Sequence, residues 1–312
     1  MIISASRRTD IPTYYSEWFF RRLREGFVLV RNPINHRQVS RIRLTPDVVD
    51  AIVFWTKNPA PMLPKMGELH DYMYYFQFTI TPYGHDLEPG LPSKKDCILP
   101  AFFRLSERIG PERVIWRYDP ILLTQTYTPD FHLRAFEALA CRLSSHTKTC
   151  VISFLDFYRN TKKNLSGSGL LPFSGELPKT LVRGFAEIAG NYGIVLKTCA
   201  EEIDLQKYGI EHGACIDQAL LESLLGCPLN AGKDKNQRPA CGCMESIDIG
   251  AYNTCKNGCR YCYAVLSDIS AAGNLGRHDP CSPLLTGHLE AEDRVTERNM
   301  RSLKETQLRL PF

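Results

Sequence analysis

The chain has 312 residues, 44% of them apolar and 23% charged, with a formal net charge of +4. That length allows a sizeable core in one large domain or two small ones, and so mild a charge permits an anionic ligand without demanding nucleic acid. No apolar run reaches the roughly 18 residues that a membrane span needs, so no span is expected.

The opening stretch, MIISASRRTD, lacks the long apolar segment of a signal peptide, and a cytoplasmic location is expected. In a reducing compartment the 12 cysteines read as metal ligands, redox groups or small buried hydrophobes, not as a disulfide framework. Short apolar, β-branched runs then alternate with helix-like segments. Strands are expected over 1–6 (MIISAS), 51–57 (AIVFWTK), 74–81 (YYFQFTIT), 113–118 (RVIWRY), 149–155 (TCVISFL), 193–199 (GIVLKTC) and 246–252 (SIDIGAY). Helices are expected over 14–25, 95–109, 130–145, 178–191 and 215–226, and ERNMRSLKE (297–305) is helical in character. Strand alternating with helix argues for repeated βα units on a parallel sheet. The expected fold class is α/β, a partial (β/α) barrel of about six or seven mostly parallel strands.

Several strands run directly into polar residues: Arg7, Arg8 and Asp10; Thr56 and Lys57; Thr79 and Thr81; Arg117 and Asp119; Glu201 and Glu202. In a barrel these C-terminal strand ends share one rim, where ligands bind. The polar, turn-rich stretch 226–246 reads as a long loop of the functional or mobile kind. In YGHDLEP, His85, Asp86 and Glu88 read as a turn with capping carboxylates. His278 and Asp279 read as a rigid turn or a lid, and Cys97, Cys141, Cys150 and Cys281 as core.

The densest chemistry is TCKNGCRYCYA, in which Cys255, Cys259 and Cys262 have the spacing C-x3-C-x2-C. Three thiolates this close can hold zinc, an iron–sulfur cluster or a redox pair. Zinc more commonly takes paired cysteine spacings, and a CRYC redox pair leaves Cys255 unexplained. An iron–sulfur cluster held by three cysteines keeps one iron open, and Gly258 supplies backbone freedom for wrapping it. Cys199, Cys215, Cys241 and Cys243 flank the polar loop and are candidate ligands of a second iron–sulfur cluster or of zinc. Cys241 and Cys243 are alternatively candidate catalytic hydrogen-atom donors.

The motif resembles the cysteine signature of the radical S-adenosylmethionine enzymes. VFWTKNPAPML is similar to the TKS-containing strand end of the spore photoproduct lyase-like group, and SRRTDIP to its TDPYQP element. FTITPYGHDLEPGLPSKKD resembles its strand followed by an LEP-type turn, and VIWRYDPIL its next strand. In that group the cysteines come first; here they come last, which implies a circular permutation with SIDIGAY as the relocated first strand. The whole chain also resembles a bacterial family catalogued only as a domain of unknown function, through SRRTDIP and VFWTKNP at the front and KDKNQRP, CGC, DIG, YNTC and YCYA at the back.

The resemblance implies a single barrel domain over 1–312, with a cysteine-containing loop region over 200–246, a cluster-binding strand-loop-helix over 247–270 and a C-terminal lid or helix over 271–312. It implies a 4Fe–4S cluster on Cys255, Cys259 and Cys262, S-adenosylmethionine at the open iron, and an external electron donor such as flavodoxin or ferredoxin. The expected reaction is hydrogen abstraction by a 5′-deoxyadenosyl radical from a nucleic-acid lesion or a small anionic metabolite. Tyr261 and Tyr263 would flank the adenine, and Lys57 would pair the methionine carboxylate. Asp10 or Asp119 would take the ammonium or ribose, Thr79 and Thr81 the ribose hydroxyls, and Arg7, Arg8 and Arg117 an anionic group. The competing expectation is a zinc-stabilised barrel that binds nucleic acid without catalysis.

Overall fold

A computed structural model describes residues 1–173 and 177–305. The elements, in chain order, begin with β1 (Ile2–Ala5), α1 (Ile11–Tyr14), α2 (Ser16–Glu25), β2 (Phe27–Arg31), β3 (Gln38–Arg43), β4 (Ala51–Thr56) and β5 (Tyr74–Thr79). There follow α3 (Leu99–Ile109), β6 (Val114–Ile121), α4 (Pro129–Leu143), β7 (Thr149–Phe154), α5 (Arg159–Asn164) and α6 (Leu177–Asn191). The last are β8 (Val195–Cys199), β9 (Glu211–Gly213), α7 (Gln218–Leu225), β10 (Ile247–Asp248), α8 (Asp268–Gly276) and β11 (Arg294–Glu297).

Eight strands form one parallel sheet in the order β10-β1-β4-β5-β6-β7-β8-β9. All seven expected strands are in it. The eighth, β9, reads Glu211-His212-Gly213 and has no apolar run to mark it. The sheet is the α/β partial barrel expected, open between β9 and β10. SIDIGAY supplies β10, which pairs in parallel with β1 through Ile3 opposite Ile247 and Ser4 opposite Asp248. Asp248 fixes that register by accepting hydrogen bonds from Ser4 Oγ (2.7 Å), Ser6 Oγ (2.7 Å), Arg7 N (2.9 Å) and Gly250 N (3.0 Å). The strand that comes last in the chain within this sheet thus lies beside the first, and the order in space is sequential although the order in the chain is not.

Alternation along each strand sorts its side chains onto two faces. Ile3, Ile52, Phe54, Phe76, Phe78, Trp116 and Ile152 join one core with Trp18 and Phe19 of α2, Phe102 of α3, Phe136 of α4 and Phe185 of α6. The intervening Ile2, Ala51, Val53, Tyr75, Ile115 and Val151 pack instead on Ile216, Leu221, Leu229, Met244 and Leu303. Helices therefore cover one face, and the segment from 215 to 244 plugs the lower end of the other. Its upper end is left open at the C-terminal strand ends.

Two expectations are corrected and one hairpin is new. ERNMRSLKE is not a helix: the segment enters from β11, which adds to β3 of a second, three-stranded sheet (β11-β3-β2). Its amides bond to other segments, Arg298 N to Arg41 O (2.9 Å) and Leu303 N to Asp50 Oδ2 (2.7 Å), so no helical ladder forms. The β2–β3 hairpin was not expected, because its sequence is interrupted by NPINH and by four arginines. Cys97, Cys141 and Cys281 are exposed; of the expected core cysteines only Cys150 is buried. In the expected lid or helix over 271–312, of which 306–312 lie outside the described residues, His278 packs edge-on against Tyr15 (4.7 Å), and of the described residues only Arg298 reaches the cavity described below.

Candidate functional site

A cavity of about 790 Å³ opens at the C-terminal ends of the parallel strands. Ser6 to Asp10 after β1, Trp55 to Lys57 at β4, Thr79 of β5, Arg117 and Asp119 of β6, Ser153 to Asp156 at β7 and Cys199 of β8 all line it. The expected rim is therefore one place. Cys255, Cys259 and Cys262 face the same cavity, as do Cys199, Cys215, Cys241 and Cys243.

The three-cysteine loop is seated by its neighbours. Gly258 has φ +64°, the left-handed region that its turn requires. The loop docks on the turn 83–91: Gly90 N donates to Asn257 O (3.0 Å), Arg260 N to Leu87 O (3.0 Å) and Arg260 Nε to Asp86 O (2.7 Å). A Cβ on Gly90 would stand 2.4 Å from Lys256 O, so only glycine permits that approach. The LEP-type turn is the platform for the cysteines. From the other side, Tyr14 OH donates to Asn257 Oδ1 (2.7 Å), Asn160 Nδ2 to Cys262 O (2.8 Å) and Tyr15 OH to Thr254 O.

Burial pushes the thiols of Cys255, Cys259 and Cys262 up; for Cys259 the value is about 12, with the nearby Lys57 ammonium working against burial. None of the three is in a disulfide. Three soft, part-exposed thiols on one short loop suit a thiophilic metal or an iron–sulfur cluster, and binding would release their protons. As the side chains stand, no group of three or more His, Cys, Asp or Glu among the described residues converges on one ion-sized point.

Several expected ligand contacts are already taken within the protein. Asp10 is buried, caps α1 through Thr13 N (3.0 Å), and accepts from Thr56 Oγ1 (2.8 Å), Lys57 N (2.8 Å) and Asn257 Nδ2 (3.4 Å). It joins the β1 and β4 ends to the cysteine loop and has no acceptor to spare for a ribose. Lys57 Nζ pairs with Glu88 Oε1 (2.7 Å) and donates to Tyr261 OH (2.9 Å). Thr81 is not on the cavity wall; its hydroxyl donates to Glu88 Oε1 (2.7 Å). Glu201 also turns away, accepting from Phe154 N (2.8 Å).

Glu88, expected to be a turn cap, is a buried carboxylate at the centre of this network. Burial alone would push it up, but Lys57 and Lys94 hold it at about 2. Nothing local in DLEP marks it, since its partners lie in β4, in the turn after β5 and in the cysteine loop. Tyr261 is buried, its hydroxyl donating to Glu88, so its ring props the loop from behind. Tyr263 is different: 42% exposed, its hydroxyl donates to Arg7 O (2.7 Å) and its ring lies 5.6 Å from Tyr158. Tyr158 was not expected from sequence.

On the cavity floor Arg117 Nε donates to Asp119 Oδ2 (3.1 Å), Nη1 to Gln77 Oε1 (3.3 Å) and Nη1 to Cys215 Sγ (2.9 Å), while Ser153 Oγ donates to Asp119. Higher up, Arg7 lies over Trp55 (5.7 Å) and Arg8 over Tyr252 (5.1 Å). Arg7 Nη1 is buried without a hydrogen-bond partner.

The sequence profile of a family described as Domain of unknown function (DUF1848) matches residues 2–264. No curated protein and no solved structure matches the chain. The matched span runs from β1 through the last of the three clustered cysteines and holds all the cavity lining but Val265 and Arg298, and the chain belongs to the DUF1848 family.

Proposed function

We propose that this protein is a radical S-adenosylmethionine enzyme, its 4Fe–4S cluster held by Cys255, Cys259 and Cys262. One observation carries the reading: the C-x3-C-x2-C loop meets the C-terminal ends of a run of parallel strands around a single cavity. When bound, the cluster and S-adenosylmethionine supply a 5′-deoxyadenosyl radical that takes a hydrogen atom from the substrate, with electrons from an external donor such as a flavodoxin or ferredoxin.

The chain's own residues bind and orient. Asp10, Asn257 and the 83–91 turn hold the cysteine loop in place, and the Lys57–Glu88–Tyr261 network fixes its inner side. Tyr263, with Tyr158 beside it, offers an aromatic seat for the adenine at the mouth. Thr79 and Asp119 face the cavity where a ribose would need acceptors. Arg7, Arg8, Arg238 and Arg298 line the wall and suit an anionic substrate. Arg7 stands near Asp234 (3.4 Å) and Asp248 (4.0 Å), and Arg238 pairs with Asp156. Charge is thus mixed along the wall, not laid out as a basic stripe, which favours a small anionic molecule over a nucleic-acid lesion.

The test is anaerobic purification and assay with a strong reductant. About four iron and four sulfide per chain, lost in a Cys255→Ala/Cys259→Ala/Cys262→Ala variant, and reductant-dependent 5′-deoxyadenosine are expected. Colourless protein with zinc on these three cysteines and no 5′-deoxyadenosine would establish the zinc-stabilised alternative instead.

A further inference from the structure

Four cysteines from three separate segments line the cavity and belong to one buried cluster. Cys199 ends β8, Cys215 follows β9, and Cys241 and Cys243 lie in the loop before β10. Cys199 Sγ is 3.0 Å from Cys215 Sγ, and all four side chains pack in one buried cluster. All four are buried, Cys243 at 1% exposure, and all are free thiols. The Cys199–Cys215 contact is well beyond the roughly 2.05 Å of a disulfide, and pairing those two would leave the other two sulfurs unexplained.

We propose that Cys199, Cys215, Cys241 and Cys243 form a mononuclear tetrahedral tetrathiolate site of the zinc class, separate from the three-cysteine loop. Scale decides between a single ion and a second iron–sulfur cluster. Zinc–sulfur bonds of about 2.3 Å place neighbouring thiolates about 3.8 Å apart in a tetrahedron. A four-iron cube holds its cysteines outside its own edges, far beyond thiol contact. The sulfurs of Cys199 and Cys215 are here already in contact at 3.0 Å, as protonated thiols sharing a hydrogen are. Replacing four protons by one ion lengthens the 3.0 Å contact slightly and draws the sulfurs of Cys241 and Cys243 toward it.

The surroundings suit a doubly negative tetrathiolate. Arg117 Nη1 donates to Cys215 Sγ (2.9 Å) and Ile216 N to Cys243 Sγ (3.4 Å), the N–H···S bonds that orient and stabilise thiolate ligands. Arg7, whose Nη1 is buried without a partner, lies within electrostatic reach of Cys215 and Cys243. The position also gives the ion a task. The chain from β9 to β10 crosses the open edge of the sheet with α7 as its only helix among described residues, and the site would tie both ends of that crossing to β8.

The intact chain is purified aerobically, its metals are counted, and zinc-edge X-ray absorption is recorded. About one zinc per chain with four sulfurs at about 2.3 Å is expected. The Cys255→Ala/Cys259→Ala/Cys262→Ala variant should keep that zinc, and Cys241→Ser should reduce it at least tenfold. Should Cys241→Ser fail to fold, cobalt substituted into the triple variant gives a second readout, the visible bands of a tetrahedral tetrathiolate. Iron with sulfide retained in the triple variant, or a metal-free chain with a Cys199–Cys215 disulfide by mass spectrometry, would overturn the proposal and leave the three-cysteine reading standing.

Discussion

Replacing Glu88 with Gln tests whether the cysteine loop is held by a buried charge network. The carboxylate is 1% exposed and accepts from Lys57 (2.7 Å), Lys94 (2.5 Å), Thr81 (2.7 Å) and the hydroxyl of Tyr261. Glutamine keeps the shape but removes the charge, and its amide nitrogen must face an ammonium or a hydroxyl. Hydrogen bonds to charged groups contribute about 1.5–3 kcal/mol each, and removing one partner of a buried pair costs about 3–5 kcal/mol. Lys94 is 26% exposed and can turn to water, whereas Lys57, at 12%, cannot do so readily. The expected loss therefore sits at the lower end, about 3 kcal/mol, and is dominated by Lys57.

Urea unfolding of wild type, Glu88→Gln, Lys57→Met and the double variant closes the cycle. Because Lys57→Met removes the ammonium that Glu88→Gln strands, the double variant should be more stable than the sum of the singles by at least about 1 kcal/mol. Anaerobic reconstitution of Glu88→Gln should also retain less iron, since Tyr261 loses its anchor. A loss under about 1 kcal/mol for Glu88→Gln, or additivity within about 0.5 kcal/mol, would mean the network does not hold the loop.

Gly90→Ala forces a Cβ to within 2.4 Å of Lys256 O and 2.7 Å of Asn257 O; both are backbone atoms, so a loss of about 1–3 kcal/mol with reduced iron retention is expected, and wild-type values for both would refute the docking role. Asp248→Ala strands four donors between β10 and the end of β1, so it should cost about 2–4 kcal/mol and speed amide exchange at Arg7 and Gly250; unchanged exchange would show that strand pairing alone sets the register. His132 is fully buried between Tyr118 OH (2.8 Å) and Leu122 O (2.9 Å), and burial lowers it to about 4. Unfolded chain then binds the extra proton first, so stability is full above about pH 6.5 and falls as pH drops toward 4, by about 3 kcal/mol in all. His132→Gln should flatten that part of the unfolding profile, and an unchanged slope would assign it to other groups.

What was legible in the sequence follows from which interactions are local. The strands β4 to β8 announce themselves because β-branched and aromatic residues fill both faces of a covered parallel sheet. The Cys255, Cys259 and Cys262 set is legible because its ligands share one loop. Glu88, Tyr158 and Arg238 were not, because each takes its meaning from partners distant in the chain. The same cause explains Asp10, Lys57 and Thr81: their residue types suggested free ligand-binding groups, whereas tertiary structure spends them on one another. The resulting division of labour is physical. Groups behind the cysteine loop are internally satisfied and set its position, whereas Arg7 Nη1 and the exposed ring of Tyr263, next to Cys262, retain unmet capacity on the cavity side. A ligand entering this cavity would therefore find the cysteine loop held from behind by neutralised groups and flanked by groups still able to bind, as is required if a reactive species is made at the cysteines and the substrate is chosen by the wall.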